Sequence, residues 1–203
     1  RVMKVLAITN QKGGVGKTTT AVNLAASLAN EGKHVLLVDL DPQGNATTGA
    51  GITKKDALPT VYQLLIGAAP LSEVGIRTEF GFDVVPANRE LAGAEVELIG
   101  LKEREYRLKN ALHAGHANYD FILIDCPPAL NMLTVNGLVA ADSVLIPMQC
   151  EYYALEGLSD LVETLRKVRT HLNSRLEIEG LLRTMFNAQS TLTPPIASSA
   201  RSI

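Results

Sequence analysis

The sequence predicts a three-layer α/β fold, with a mostly parallel β-sheet flanked by helices. Two observations carry that prediction. Short unbroken apolar runs, Val5-Leu6-Ala7-Ile8, Val35-Leu36-Leu37-Val38 and Ile122-Leu123-Ile124, suit strands covered on both faces. Segments with helical spacing separate the runs, as in βαβ units with right-handed crossovers. At 203 residues, 46% hydrophobic and 20% charged, the chain has the size and composition of one globular domain.

The elements follow in order. Lys4–Thr9 reads as the first strand. A helix is expected from Lys17 to Glu31, where Ala21, Leu24, Ala25, Leu28 and Ala29 recur at i, i+3, i+4 and Gly32 supplies a stop. His34–Asp39 is the second strand. The polar stretch from Leu40 to Lys55 reads as a long functional loop. Thr60–Ile66 is expected as a short helix, Phe82–Pro86 as a weaker strand, and Leu91–Ile99 and Lys102–Leu112 as helices. Lys102-Glu103-Arg104-Glu105 would be a solvated helix face. Phe121–Asp125 and Ser143–Met148 read as strands. Leu155, Leu158, Leu161, Val162, Leu165 and Val168 trace the stripe of a long helix carrying a Glu163–Lys167 pair at i, i+4. Ile178–Thr184 is the last strand expected. From Asn187 the chain turns rich in Ser, Thr, Ala and Pro, and 187–203 is expected to be a flexible tail.

Composition excludes several functions. The formal net charge of −2 does not mark a nucleic-acid binder, although a local basic face is compatible with it. No apolar run reaches the ~18 residues of a membrane span and no secretory segment is visible, so a cytoplasmic setting is expected. Arg1 in place of Met suggests an edited start near Met3. Cys126 and Cys150 form no C-x-x-C pair, and the four histidines lack metal-ligand spacing. The cysteines are expected to be small buried side chains, and Tyr152-Tyr153 to serve packing.

Chemistry concentrates where strands end. Lys12-Gly13-Gly14-Val15-Gly16-Lys17-Thr18-Thr19 lies between a strand and a helix start, an arrangement that cradles phosphate with backbone N–H groups and the helix dipole. Glycines allow close backbone approach. Lys17 reaches β- and γ-phosphates and the Thr18 hydroxyl can coordinate Mg²⁺. Gln11 stands where a P-loop has its first glycine, and Lys12 adds a second amine at the outer lip, pointing to a neighbouring subunit's nucleotide. Asp125 closes an apolar strand and would handle Mg²⁺ through a water. Asp39 and Asp41 flank Leu40 and would project alike from an extended strand. Asp41 is the candidate for orienting the attacking water, and Asp39 the one nearer the metal's water shell; such carboxylates act by position and charge rather than as strong bases. Pro127-Pro128 after Asp125 fixes a rigid turn suited to sensing the γ-phosphate.

These motifs resemble those of the ParA/MinD-type ATPases, a P-loop NTPase-like family. Lys12–Thr19 looks like its deviant Walker A motif, and Asp39-Leu40-Asp41-Pro42-Gln43-Gly44-Asn45 and Asp125-Cys126-Pro127-Pro128 like its next two motifs. The likeness runs from about Val2 to Phe186 and is strongest to the chromosomal Soj subgroup. The resemblance implies a domain over 1–186 that binds ATP with Mg²⁺ and closes as an ATP-dependent homodimer. Lys12 would cross to the partner's phosphates, Lys17 would hold its own, Thr18 would bind Mg²⁺ and Asp41 would place the water. It further implies non-specific DNA binding on the nucleoid, release through hydrolysis stimulated by a ParB-type partner, and movement of chromosomes or plasmids. Family members continue past Phe186 into strands and helices that support the adenine pocket and DNA contacts, and the tail here departs from that. Two alternatives follow. One is a MinD-like division-site ATPase, which would need a C-terminal amphipathic membrane helix that the chain does not show. The other is a hydrolysis-poor nucleotide-binding regulator. An electron-transfer iron protein would need two well-placed cluster cysteines, and no membrane partner is expected.

Overall fold

The computed structural model of the chain describes residues 3–10, 16–55, 57–115, 118–149 and 154–184. Their elements run β1 (Lys4–Ile8), α1 (Lys17–Asn30), β2 (Val35–Asp39), α2 (Asn45–Gly49), α3 (Val61–Ile66), α4 (Leu71–Val74), β3 (Ile76–Arg77), β4 (Asp83–Val85), α5 (Leu91–Ile99), a 3₁₀ turn (Arg104–Tyr106), α6 (Arg107–Gly115), β5 (Phe121–Asp125), α7 (Met132–Ala140), β6 (Ser143–Gln149), α8 (Ala154–His171) and β7 (Glu177–Thr184).

The strands form one seven-stranded sheet in the order β3-β4-β2-β5-β1-β6-β7. Every ladder is parallel except β3 with β4 at the edge. β5 lies between β1 and β2, pairing Asp125 with Ile8 on one side and with Asp39 on the other. The apolar runs thus become the three central strands, with their polar ends at one edge.

Alternating side chains divide the core between the two faces. Val5, Ala7, Leu36, Val38, Ile122 and Ile124 face α3, α5, α6, α7 and α8. Leu6, Ile8, Val35, Leu37 and Leu123 face α1 and α2 through Ala21, Ala25, Ala46 and Ala50. This is the expected three-layer fold.

Several segments differ from the sequence reading, among them the short α4 and β3, which it does not expect. The stretch from Leu40 to Lys55 is not all loop, because α2 interrupts it; Gly44, at φ +64°, turns the chain into α2, and buried Ala46 and Ala50 fasten it to α1 and the sheet. The helix expected over Lys102–Leu112 is broken, since Glu103 sits at φ +52° and a 3₁₀ turn precedes α6. There Arg104 pairs with Glu105 at 2.9 Å, and its carbonyl accepts from Asn136 Nδ2 at 2.8 Å. Helix α7 was not read from the sequence at all. Nearly all of its residues are buried, so it carries no amphipathic period, and its start is set by Asn131, whose side chain accepts from the Thr134 amide at 3.1 Å.

Candidate functional site

The site forms at the carboxyl edge of β1, β2 and β5, where a parallel sheet leaves a crevice for ligands. Gly16, at φ +76°, is the last residue before α1. That left-handed conformation suits glycine and places Lys17 and Thr18 in the first helical turn. Lys17 is 8% exposed, and its amine forms an ion pair with Asp125 Oδ1. The Thr18 hydroxyl donates to Asp125 Oδ2 at 3.0 Å. Asp125 is fully buried, its place set by ladders on both sides of β5. Thr19, next on the helix, is exposed.

Asp39 is the fully buried end of β2. Its Oδ1 accepts the Asp41 amide at 3.0 Å, and its Oδ2 accepts the Thr47 amide at 2.8 Å and the Thr47 hydroxyl at 2.7 Å. Both oxygens are therefore engaged within the protein. Asp41 does not continue the extended strand; the chain turns, with the Gly44 amide donating to the Asp41 carbonyl at 2.8 Å and the Gln43 amide to Asp41 Oδ1 at 3.0 Å. Asp41 stays 6% exposed. Lys54 holds the turn from outside, donating to the Gln43 carbonyl at 2.6 Å.

The electrostatics follow from this crowding. Burial, with the nearby Asp125 charge adding to it, pushes the Asp39 carboxyl up to about 7. Burial also raises Asp125, opposed by the charge and hydrogen bond of Lys17. Buried Lys17 pairs with buried Asp125, whose charge is felt by Asp39 and which in turn feels that of Asp41. That edge offers hard oxygen donors at Thr18 and Asp125, which fits Mg²⁺. Among the described residues no group of three or more His, Cys, Asp or Glu could hold a metal ion. Cys126, just beyond Asp125, is fully buried, and burial pushes its thiol up to about 12.

Of the residues predicted for the site, the structure brings together Gly16, Lys17, Thr18, Asp39, Asp41 and Asp125. Lys12, Gly13, Gly14 and Val15 lie outside the described residues, as do Cys150, Tyr152, Tyr153 and everything beyond Thr184. Thr47 was missed. Its sequence signal is slight, one hydroxyl eight residues after Asp39 in a polar stretch. Among the described residues no helix is long and apolar enough to cross a membrane.

A family model described as an AAA domain matches residues 3–178. The sporulation initiation inhibitor protein Soj of Bacillus subtilis is 58% identical over 93% of this chain and 75% of its own length. The chromosome partitioning protein ParA of Caulobacter vibrioides is 51% identical over 98% of this chain and 76% of its own. Among solved structures, cobyrinic acid a,c-diamide synthase of Mycobacterium smegmatis, with bound ATP analogue and magnesium, superposes with a TM-score of 0.94 at 40% identity, covering 99% of this chain and 82% of that one. The chain spans about three quarters of the length of the two curated relatives.

Proposed function

From the premise that the chain belongs to the ParA/MinD family, and within it to the ParA/Soj proteins, we propose that it is a partitioning ATPase that couples Mg²⁺-dependent ATP hydrolysis to a cycle of dimerisation and DNA binding. One observation carries the chemistry: Lys17 and Thr18 converge on buried Asp125 while Asp41 is held beside them at the same sheet edge. The Mycobacterium smegmatis neighbour supports the reading through the nucleotide analogue and metal it holds. The partitioning role rests on the curated relatives, whose identities of 58% and 51% exceed that neighbour's 40%.

The geometry divides the work. Lys17 turns its amine from Asp125 to the β- and γ-phosphates, exchanging one anionic partner for another. Thr18, and Asp125 through a water, would hold Mg²⁺, which would supply positive charge against that building up on the phosphates. Asp41 orients the attacking water. Asp39, with both oxygens accepting from Asp41 and Thr47, shapes the loop that carries Asp41. The glycine loop with Thr19 wraps the phosphates, and Lys12 reaches across to the nucleotide of a second copy. The ATP-bound dimer binds DNA without sequence preference, and a ParB-type partner accelerates hydrolysis and release.

Steady-state phosphate release tests this. With Mg²⁺-ATP, non-specific DNA and a ParB-type peptide together should raise the rate above either alone, and chelating Mg²⁺ should abolish it. Asp41→Ala should retain nucleotide while turnover falls at least ~100-fold, the scale expected for losing a water-positioning group. A mutant that hydrolyses at the parent rate would remove Asp41 from this role, and a parent unresponsive to both effectors would remove the partitioning cycle.

A further inference from the structure

Thr47 occupies an unusual place. It lies within α2, beyond the acidic motif, and is fully buried although polar. Its hydroxyl accepts the Ala87 amide at 2.9 Å and donates to Asp39 Oδ2 at 2.7 Å. An amide N–H can only donate, so the hydroxyl's single proton is free to go to Asp39. The Thr47 amide donates to the same oxygen at 2.8 Å. The opposite oxygen, Oδ1, takes the Asp41 amide at 3.0 Å. The contacts form one unbroken chain, from Ala87 through the Thr47 hydroxyl and the Asp39 carboxylate to the Asp41 backbone.

Two members of that chain are anchored. Ala87 follows β4 and is fully buried, and Asp39 ends β2, which pairs with β4 and β5. The turn between them has little room to move on its own. A Cβ on Gly44 would meet the Ala87 carbonyl at 2.8 Å and Lys54 Cδ at 2.7 Å. None of the buried side-chain nitrogens and oxygens among the described residues lacks a partner, so the relay is fully satisfied. A satisfied buried network holds its members in one arrangement.

We infer that Thr47 is a positioning residue for hydrolysis: its hydroxyl clamps the Asp39 carboxylate, which holds the Asp41 backbone, and so fixes where the Asp41 side chain meets the attacking water. Thr47 is fully buried and acts through Asp39. The inference rests on the proposed ATPase reading, and it adds a residue that the motifs do not contain. A displacement of about 1 Å at a positioned catalytic group is enough to cost ~100-fold in rate. Thr47→Val keeps the shape and removes the hydroxyl. Thr47→Ser keeps the hydroxyl and loses one methyl.

The test compares parent, Thr47→Val, Thr47→Ser and Asp41→Ala in Mg²⁺-ATP turnover and in binding of a fluorescent ATP analogue. Amide hydrogen exchange over residues 39–47 is followed in the same samples. Expected is a fall of ~10–100-fold in kcat for Thr47→Val, with nucleotide Kd within about twofold of the parent and faster exchange at the Asp41 amide. Thr47→Ser should restore kcat to within about threefold. Parent-like kcat in folded Thr47→Val overturns the inference, and so does a Thr47→Ser rate as low as that of Thr47→Val, because packing rather than the hydroxyl would then be at work. If Thr47→Val does not fold, Thr47→Cys replaces it, with a thiol of similar size and weak hydrogen bonding; parent-like kcat there overturns the inference and a fall at unchanged Kd supports it. A parent that does not hydrolyse ATP at all strikes at the ATPase reading instead, and the Asp41 amide exchange still reports whether the relay holds.

Discussion

Replacing Asp39 by asparagine should change how stability depends on pH, and the size of the change follows from the structure. Asp39 is fully buried beside Asp125, and its carboxyl is pushed from the ordinary 3.8 up to about 7. Between those values the unfolded chain has released a proton that the native state retains. Stability therefore falls as pH rises through this window and flattens above about 7. A difference of about 3 units at 1.36 kcal/mol per unit is worth about 4 kcal/mol, of which about 2 kcal/mol lies between pH 5 and 7. An asparagine side chain does not ionise, so Asp39→Asn loses that slope. The variant also loses hydrogen bonds at every pH, because its amide nitrogen must face either the Asp41 amide or the Thr47 donors, a donor-to-donor clash costing about 1–3 kcal/mol. The assay is reversible urea unfolding of both proteins at pH 5, 6, 7 and 8. Taking the difference between them cancels titrations that do not involve Asp39. The variant should gain on the parent by about 2 kcal/mol from pH 5 to 7, with less than about 0.5 kcal/mol more to pH 8. A difference constant to within ~0.5 kcal/mol across the series would refute the reasoning, since the buried carboxyl would then titrate alike in both states.

Further substitutions probe other parts of the molecule. Lys12→Ala should abolish ATP-dependent dimerisation while each protomer still binds nucleotide; light scattering with a non-hydrolysable analogue reads this, and an intact dimer would end the cross-subunit assignment. Gly137→Ala should destabilise by about 1–3 kcal/mol, because its Cβ would lie 2.8 Å from Cys126 Sγ and 3.2 Å from Leu40 Cδ1. Thermal unfolding should show the midpoint falling by about 2–4 °C for each kcal/mol, and an unchanged midpoint would mean that α7 yields without cost. Thr60→Ala should cost about 1 kcal/mol by undoing the capping box at the start of α3, where Thr60 Oγ1 accepts from Tyr62 N at 3.2 Å and Gln63 Oε1 accepts from Thr60 N at 2.7 Å. Equal urea midpoints for Thr60→Ala and the parent would contradict that.

That Lys17, Thr18 and Asp125 meet at one sheet edge was legible because each motif sits where an apolar run stops or a helix begins. Parallel strands carry such ends to one edge of the sheet, so a linear order of motifs already implies their meeting. Strand β5 reads Phe121–Asp125 in sequence and structure alike, since a strand buried on both faces leaves an uninterrupted apolar signal. Helix α5 emerged at its expected bounds, Leu91–Ile99. Helices α2 and α7 were hidden for opposite reasons: α2 is short and polar and is stabilised by contacts made elsewhere in the chain, whereas α7 is so thoroughly enclosed that no polar face marks its turn. The different tasks of Asp39 and Asp41 were equally unreadable, because local alternation projects the two carboxylates together while the turn at Pro42–Gly44 separates them.

Periodicity and the placing of glycine, lysine, threonine and aspartate along the chain were thus enough to establish a parallel sheet and to point to one edge of it as the site, since those features arise from backbone geometry and local chemistry. Which carboxylate is tied down, how far its proton affinity shifts, and that Thr47 joins Ala87 to Asp39 came only with the folded molecule. Burial and hydrogen bonding between residues 8 to 40 positions apart determine them, and such contacts exist only once β2, β4 and β5 lie side by side.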